Sequence, residues 1–266
     1  MKKSPVKYVF IQDDPFYLPR VLDKYLREFH DSTAGVNVQS VAQGGRTLFQ
    51  TARSLLSIYG VRYFLWKSLR LAAQKSKAFL LNDLLGYNRE CYSVSAVAKK
   101  YGTPAHRCAN VNDEQFRALL RELGVELIVS ISGTQFYGAK LREQTPLGII
   151  NCHGALLPRY RGLMPSFWTL ANGESEGGVS VHFVDEKIDN GPILVQRRYR
   201  LNPGDTLEEV MARSKDLAAE AVIEAVRMIE TGSYETMPNP EGEGRSFSLP
   251  TKEDARRFRE RGHRFF

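Results

Sequence analysis

One stretch, Gly148 to Gln196, constrains this chain more than any other. It opens GIINCHGALLPRYRG and closes EGGVSVHFVDEKIDNGPILVQ. Ile149-Ile150 is an apolar β-branched pair suited to a buried strand, and Asn151-Cys152-His153 follows where that strand ends. In extended chain, residues i and i+2 point to the same side. Asn151 and His153 therefore face one cavity, and Cys152 faces the other way. Gly177 to Val184 carries the β-branched and aromatic content of another strand. A polar loop, Asp185 to Gly191, and a further apolar run, Pro192 to Val195, turn it into a hairpin whose loop carboxylates return toward the first strand's end. An amide, an imidazole and a carboxylate on adjacent strand ends suit acyl transfer, whereas a lone Asn-x-His pair would serve equally well as structural polar groups.

The chain on either side supplies the frame. Lys7 to Ile11 reads as a first strand, Val21 to Phe29 has helical spacing, and Asn37 to Ala42 reads as a second strand. That β-α-β opening predicts a parallel sheet with a crossover helix. The turn after the first strand, Gln12-Asp13-Asp14-Pro15, holds no glycine-rich phosphate cradle, and Gly44-Gly45 makes only a turn, so neither a dinucleotide fingerprint nor a P-loop is supported. Ser93 to Tyr101 resembles a helix, Thr103-Pro104 starts a short strand, and Asn112-Asp113 can cap a helix through Gly124. Leu127 to Ile131 is a short run of the kind parallel sheets bury, and Ser132 to Tyr137 is the loop at its carboxyl end, where open α/β sheets place ligands. Ser166 to Asn172 reads as a short helix. A longer one begins at the capping box Thr206-x-x-Glu209 and ends at Gly232.

Two segments remain open. Residues 47–86 alternate apolar and basic residues at helical intervals, interrupted at Gly60. They fit an amphipathic surface helix for membranes, or an inserted helical pair packed on the sheet or on a second subunit. Residues 233–266 read as a linker followed by a basic, solvated tail in which Arg256, Arg257, Arg259, Arg261 and Arg264 crowd together. The net charge of +7 suits anionic partners such as phosphorylated sugars, polyglutamylated folate or nucleic acid, but no RNA-binding motif accompanies it. Three cysteines at wide, odd spacing give neither a disulfide framework nor a zinc pattern, and no metal site is expected. With no signal-peptide core, a reducing cytoplasm is the expected location.

The ordered set Asn151/His153, Leu156-Leu157-Pro158-Arg159-Tyr160-Arg161-Gly162, Ser180-Val181-His182 and Asp189-Asn190-Gly191-Pro192-Ile193 with Gln196 resembles the signature of the formyl-tetrahydrofolate-dependent formyltransferases and their hydrolase relatives. The likeness covers roughly residues 120 to 230. It implies a Rossmann-like open, mostly parallel α/β sheet with helices on both faces, here with inserted helices and a short C-terminal extension. The catalytic domain would span residues 1–232. The resemblance implies Asn151, His153 and Asp189 as catalytic residues and 10-formyltetrahydrofolate as co-substrate. Thr134, Gln135, Phe136 and Tyr137, with Asp185, Glu186 and Ile188, would line the folate side. Arg159, Tyr160, Arg161 and Met164 would face the acceptor, although either arginine could instead tie down its own loop.

The branches of that family differ in their acceptor. Only 34 residues follow Gly232, too few for the C-terminal β-rich domain of the methionyl-tRNA formyltransferases. The phosphate loop of the glycinamide-ribotide enzymes and the regulatory domain of the hydrolases are also missing. The expectation is transfer to a small amine, an amino sugar either free or linked to a nucleotide, by an enzyme that could be a homodimer. Methionyl-tRNA formyl transfer, formyltetrahydrofolate hydrolysis and a catalytically silent folate-binding protein are the alternatives.

Overall fold

Alternation along the strands decides the layering. The computed structural model describes residues 4–40, 47–87 and 89–266, so Gly44-Gly45 and the end of the expected second strand lie outside the described residues. Seven strands form one sheet: β1 (Lys7–Gln12), β2 (Thr33–Gln39), β3 (Ala105–His106), β4 (Leu127–Ile131), β5 (Ile149–His153), β7 (Glu176–Phe183) and β8 (Ile193–Arg200), in the order β3-β2-β1-β4-β5-β7-β8. The first five neighbours pair in parallel, whereas β7 runs antiparallel to β5 and to β8. A two-stranded ribbon pairs β6 (Arg161–Gly162) with β9 (Ser246–Phe247). β2 begins at Thr33, four residues earlier than the β-branched pattern predicts, because Thr33 and Gly35 pair with β1 on either side of an irregularity at Ala34.

On one face Val9, Ile11, Val36, Val129 and Ile131 pack against α1 (Leu18–Phe29), α3 (Val94–Lys100) and α7 (Leu207–Thr231). On the other, Tyr8, Phe10, Ile128 and Ile149 meet α4 (Glu114–Glu122) and α5 (Ala139–Glu143). The open, mostly parallel sheet with helices on both faces is the architecture expected. The capping box at Thr206 forms, with Thr206 Oγ1 accepting from the Glu209 amide and the Glu209 carboxylate accepting in return, and Gly232 ends α7 in a left-handed turn.

A third core joins elements that sequence periodicity left apart. Ile58 and Tyr63 of α2 (Leu48–Lys77) and Phe167 of α6 (Pro165–Ala171) pack with Leu207 and Val210 of α7. Phe258 of α8 (Lys252–Glu260) and Phe265 complete it. The expectation of a solvated tail is therefore corrected on one face of α8: Phe258 is 1 % exposed and stacks on Phe167 at 4.8 Å between ring centroids. The arginines that suggested solvation are accounted for locally. Arg256 pairs with Glu253 and Glu260, Arg257 pairs with Glu253, and Arg259 and Arg261 donate to the carbonyls of Ile58 and Ala171. The Ile58 carbonyl lies beside Gly60, whose positive φ breaks the α2 ladder. Past residue 77 the helix continues as a π-helical turn, Ala78–Leu84. If the tail is part of the core, Phe258→Ala should cost about 3–5 kcal/mol of unfolding free energy; a urea titration showing almost no loss would return the tail to the solvent.

Candidate functional site

Asn151 and His153 project from the last turns of pleat of β5, while Cys152 between them joins the α7-side core. Ser130 of β4 lies opposite Asn151 in register, and His182 of β7 lies opposite it on the other side. The four polar groups share the sheet face that carries α4 and α5 further along. The β7–β8 hairpin then delivers Asp189, whose side chain is 11 % exposed. Asp189 adopts φ 50°, and its carbonyl is held by Arg161 Nε at 3.1 Å and Asn239 Nδ2 at 3.0 Å. Such a left-handed conformation is uncommon outside glycine but is tolerated by Asp. Two residues on, Gly191 is required for space: a Cβ there would lie 2.0 Å from the Phe183 carbonyl oxygen.

The hydrogen-bond network assigns the donors. His153 Nε2 lies 2.7 Å from the Tyr160 carbonyl and must donate to it; His182 Nδ1 lies 2.7 Å from the Phe183 carbonyl and must do the same. Each ring then turns its other nitrogen toward one carboxylate. His153 Nδ1 is 3.4 Å from Asp189 Oδ2, and His182 Nε2 is 3.4 Å from Oδ1. The Gly162 amide donates to Oδ2 at 2.8 Å. Asn151 receives the Ser130 hydroxyl on its Oδ1 at 2.8 Å, which leaves Nδ2 facing Asp189 Oδ1 and His182 Nε2, both at 3.3 Å. Since the one Ser130 proton goes to Asn151, the Tyr137 phenol donates to Ser130 Oγ, 2.8 Å away.

Two classes of contact result. The bonds that orient each side chain from behind are 2.7–2.8 Å, whereas those between the functional edges are 3.3–3.4 Å. A charge-assisted bond at its optimum is shorter than that. Asn151 Nδ2 and the two inner ring nitrogens are thus fixed in direction yet incompletely used, the state in which an arriving polar atom can engage them. Cys152 is not part of this set. Burial pushes its thiol up to about 11, against the opposing influence of Lys215, so a thiolate nucleophile is disfavoured.

The motif residues that surround the site hold its loop. Ser180 Oγ donates to the Ala155 carbonyl and accepts from the Leu157 amide, and Gln196, its cross-strand partner, donates to the Leu157 carbonyl at 2.6 Å. Arg161 is buried, with its guanidinium on Asn239 Oδ1 and the carbonyls of residues 239–241, the loop-tying arrangement. Arg159 pairs with Glu174 at 3.1 Å, and the Tyr160 phenol donates to the same carboxylate. Met164 is the left-handed residue before α6.

On the other side, Thr134 bonds Gln39 and the Ser40 carbonyl, and the Gln135 side chain is engaged with Val111 and Cys108. Tyr137 is buried, while Phe136 and Ile188 present exposed apolar side chains. Asp185 accepts from the Lys187 amide and from Asn190, building its loop, and Glu186 is exposed. The sequence reading missed Ser130, a polar residue inside an otherwise apolar strand, and named His182 only within the motif. No group of three or more potential metal ligands occurs among the described residues.

Burial by itself would raise the Asp189 carboxyl. His153 first, then His182 and the Gly162 amide, outweigh burial and hold it well below its usual 3.8. A carboxyl lowered by folding stabilises the fold above its unfolded pKa and loses that contribution as pH falls through the lower folded value. The wild type should therefore exceed Asp189→Asn in urea stability at about pH 6, with the gap closing below roughly pH 4. A gap that does not vary with pH would contradict this charge arrangement.

Comparison with known proteins gives a consistent picture. A family model described as formyl transferase matches residues 82–226. The methionyl-tRNA formyltransferase of Anaeromyxobacter sp. (strain K) is 34 % identical over 164 residues, 62 % of this chain and 53 % of that protein, so the chain spans about half the length of the curated relatives it matches. The crystal structure of phosphoribosylglycinamide formyltransferase from Anaplasma phagocytophilum superposes with a TM-score of 0.59 at 18 % identity, covering 92 % of this chain and 100 % of that one. A sugar 3N-formyl transferase, WlaRD, solved in the presence of dTDP and 5-N-formyl-THF, superposes with a TM-score of 0.58 at 15 % identity, covering 93 % of this chain and 70 % of that one. These two likenesses concern the fold. The family match takes in more than half of the residues, and by it the chain belongs to the formyl transferase family.

Proposed function

We propose that this chain is an N-formyltransferase that moves the formyl group of 10-formyltetrahydrofolate to the amine of a small acceptor, an amino sugar or related metabolite. The observation that carries the reading is Asp189 held between two imidazoles beside an oriented carboxamide. When bound, the folate supplies a formyl carbon on a weakly basic nitrogen. The residues fit such a co-substrate: exposed Phe136 and Ile188 offer apolar surface next in sequence to Tyr137 and Asp189, and the donors converge between them.

Asn151 Nδ2, aimed by Ser130, is a neutral donor for a carbonyl oxygen that gains charge. His153 Nδ1 is the atom at which a proton from the attacking amine can rest. Asp189 stabilises the imidazolium so formed, and the Tyr160 carbonyl keeps the ring from turning. No nucleophilic side chain is required.

A small acceptor is favoured over tRNA because the cluster of tail arginines, the strongest candidate for RNA binding in the sequence, is taken up by carboxylates and backbone carbonyls. The identity shared with methionyl-tRNA formyltransferases is what supports the second reading. Incubation with 10-formyltetrahydrofolate and a panel of amines, including nucleotide-linked amino sugars, glycinamide ribotide and methionyl-tRNA, separates the two by folate absorbance. Turnover fastest on methionyl-tRNA would reject the small-acceptor reading, and folate conversion independent of any amine would make the chain a hydrolase.

With the best acceptor, Asn151→Ala should lower kcat about 10²–10³-fold. Asp189→Asn should also abolish most turnover while folate binding, followed by fluorescence titration, stays within a few-fold of wild type. Undiminished turnover in Asp189→Asn would remove the carboxylate from the chemistry.

A further inference from the structure

The inserted helix presents an apolar face that the described fold leaves uncovered. Beyond the Gly60 kink, α2 is fastened along its inner side: Tyr63 enters the third core, Trp66 stacks on Phe266, Lys67 pairs with Glu208, Gln74 donates to the Pro15 carbonyl, and Asn82 is buried on the carbonyls of Tyr87 and Glu90. From Ser68 to Lys77 every side chain but that of Gln74 is exposed. Leu65, Leu69, Phe79, Leu80, Leu84 and Leu85 are among the most exposed large apolar residues, with Leu69 at 72 % and Leu84 at 65 %. Leu65, Leu69, Ala72 and Ala73 follow the i, i+4, i+7, i+8 spacing of one helical stripe, and Leu80 and Leu84 lie on the π-helical continuation.

Charge selects the occupant of that face. Between Thr47 and Leu84 the sequence has six cations, Arg53, Arg62, Lys67, Arg70, Lys75 and Lys77, against one acidic residue, Asp83. Lys67 turns inward, onto Glu208 and the ring of Phe16, and the half-exposed Arg70 lies over the rings of Phe16 and Trp66. Arg62, Lys75 and Lys77 are exposed around the apolar stripe. A second copy docked face to face would set these cations against their own equivalents, with only Asp83 on the segment to answer them. An anionic lipid surface matches both features, taking the leucines into the headgroup boundary and neutralising the flanking cations. Among the described residues no helix is long and apolar enough to cross a membrane, so the segment would lie in the interface. We propose that the outer face of α2 and its π-helical continuation docks the protein on an anionic membrane surface.

The test uses the full chain and vesicles of phosphatidylcholine alone or mixed with phosphatidylglycerol. Co-sedimentation should occur with the anionic vesicles, weaken at least roughly tenfold between low and high salt, and be near background with phosphatidylcholine. Lys75→Gln with Lys77→Gln should weaken binding about fivefold per residue. Leu69→Gln with Leu84→Gln, both surface positions, should weaken it by at least about tenfold without changing the far-ultraviolet circular dichroism or the rate on a water-soluble acceptor. Equal binding to both vesicle types, no binding to either, or binding indifferent to these substitutions would overturn the proposal. So would a wild-type dimer in sedimentation equilibrium that the leucine variant converts to monomer while vesicle binding is absent, since the occupant would then be a second copy. Because sedimentation does not depend on formyl transfer, failure of this docking and failure of the proposed reaction are separately visible.

Discussion

A carboxylate removed from water is expensive unless donors replace the water, and the architecture around the site is arranged to meet that demand at Asp189. Its two oxygens face His153 of β5, His182 of β7, Asn151 and the Gly162 amide. Its carbonyl is held by Arg161 and Asn239. Those partners come from a strand, a neighbouring antiparallel strand, a connecting loop and the segment beyond α7. The buried charge therefore cross-links regions that share no local periodicity. Arg161 extends the link, because its remaining donors satisfy the carbonyls of residues 239–241 and so fold the chain after α7 back onto the site.

The same arrangement divides rigidity from availability. Tyr137 acts on Ser130, Ser130 acts on Asn151, and backbone carbonyls fix both imidazoles. Each orienting bond leaves the facing edge of its side chain directed at the carboxylate with a longer contact. Preorganised donors of this sort need no rearrangement when charge develops nearby, which is the physical basis of their catalytic value. The loop bearing Tyr160 and Gly162 owes its position to Ser180 and Gln196, so the dispersed motif is a set of mutually dependent hydrogen bonds and not a row of reactive groups.

Much of this was legible before any coordinates. Period-two alternation placed Asn151 and His153 on one side and Cys152 on the other, and the polar turn between two apolar runs announced the hairpin that carries Asp189. Ser130 was not legible, because a serine within LIVSI gains meaning only from its parallel register with Asn151, and parallel register depends on crossover geometry that adjacent residues do not encode. The tail misled for a different reason. Its arginines outnumber its apolar residues, yet acids at i,i+3 and i,i+4 spacing neutralise several of them, and two phenylalanines and an alanine suffice to seat α8 in a core contributed by other elements. Composition reports charge; it does not report where the partners of that charge lie.

A second carboxylate does for the inserted arm what Asp189 does for the site. Glu208, in the first turn of α7, accepts from Lys67 and from the phenols of Tyr17 and Tyr63. Burial would raise its carboxyl, but Lys67 and the two hydroxyls hold it below the usual range, and a charge at a helix N-terminus is favoured by the backbone dipoles. Tyr17 follows β1, Tyr63 and Lys67 belong to α2, and Glu208 opens the helix that covers the core face of β5 and β7. This polar node adds to the apolar anchors Ile58 and Tyr63 in tying down the arm, while its outer face stays apolar and cationic. A helix that needed only to complete the core would carry its leucines inward at such a node. Beyond Gly60 the inward positions at this node are Tyr63 and Lys67, and Leu65 and Leu69 point out, which is the pattern of a segment whose apolar side is reserved for something other than its own sheet.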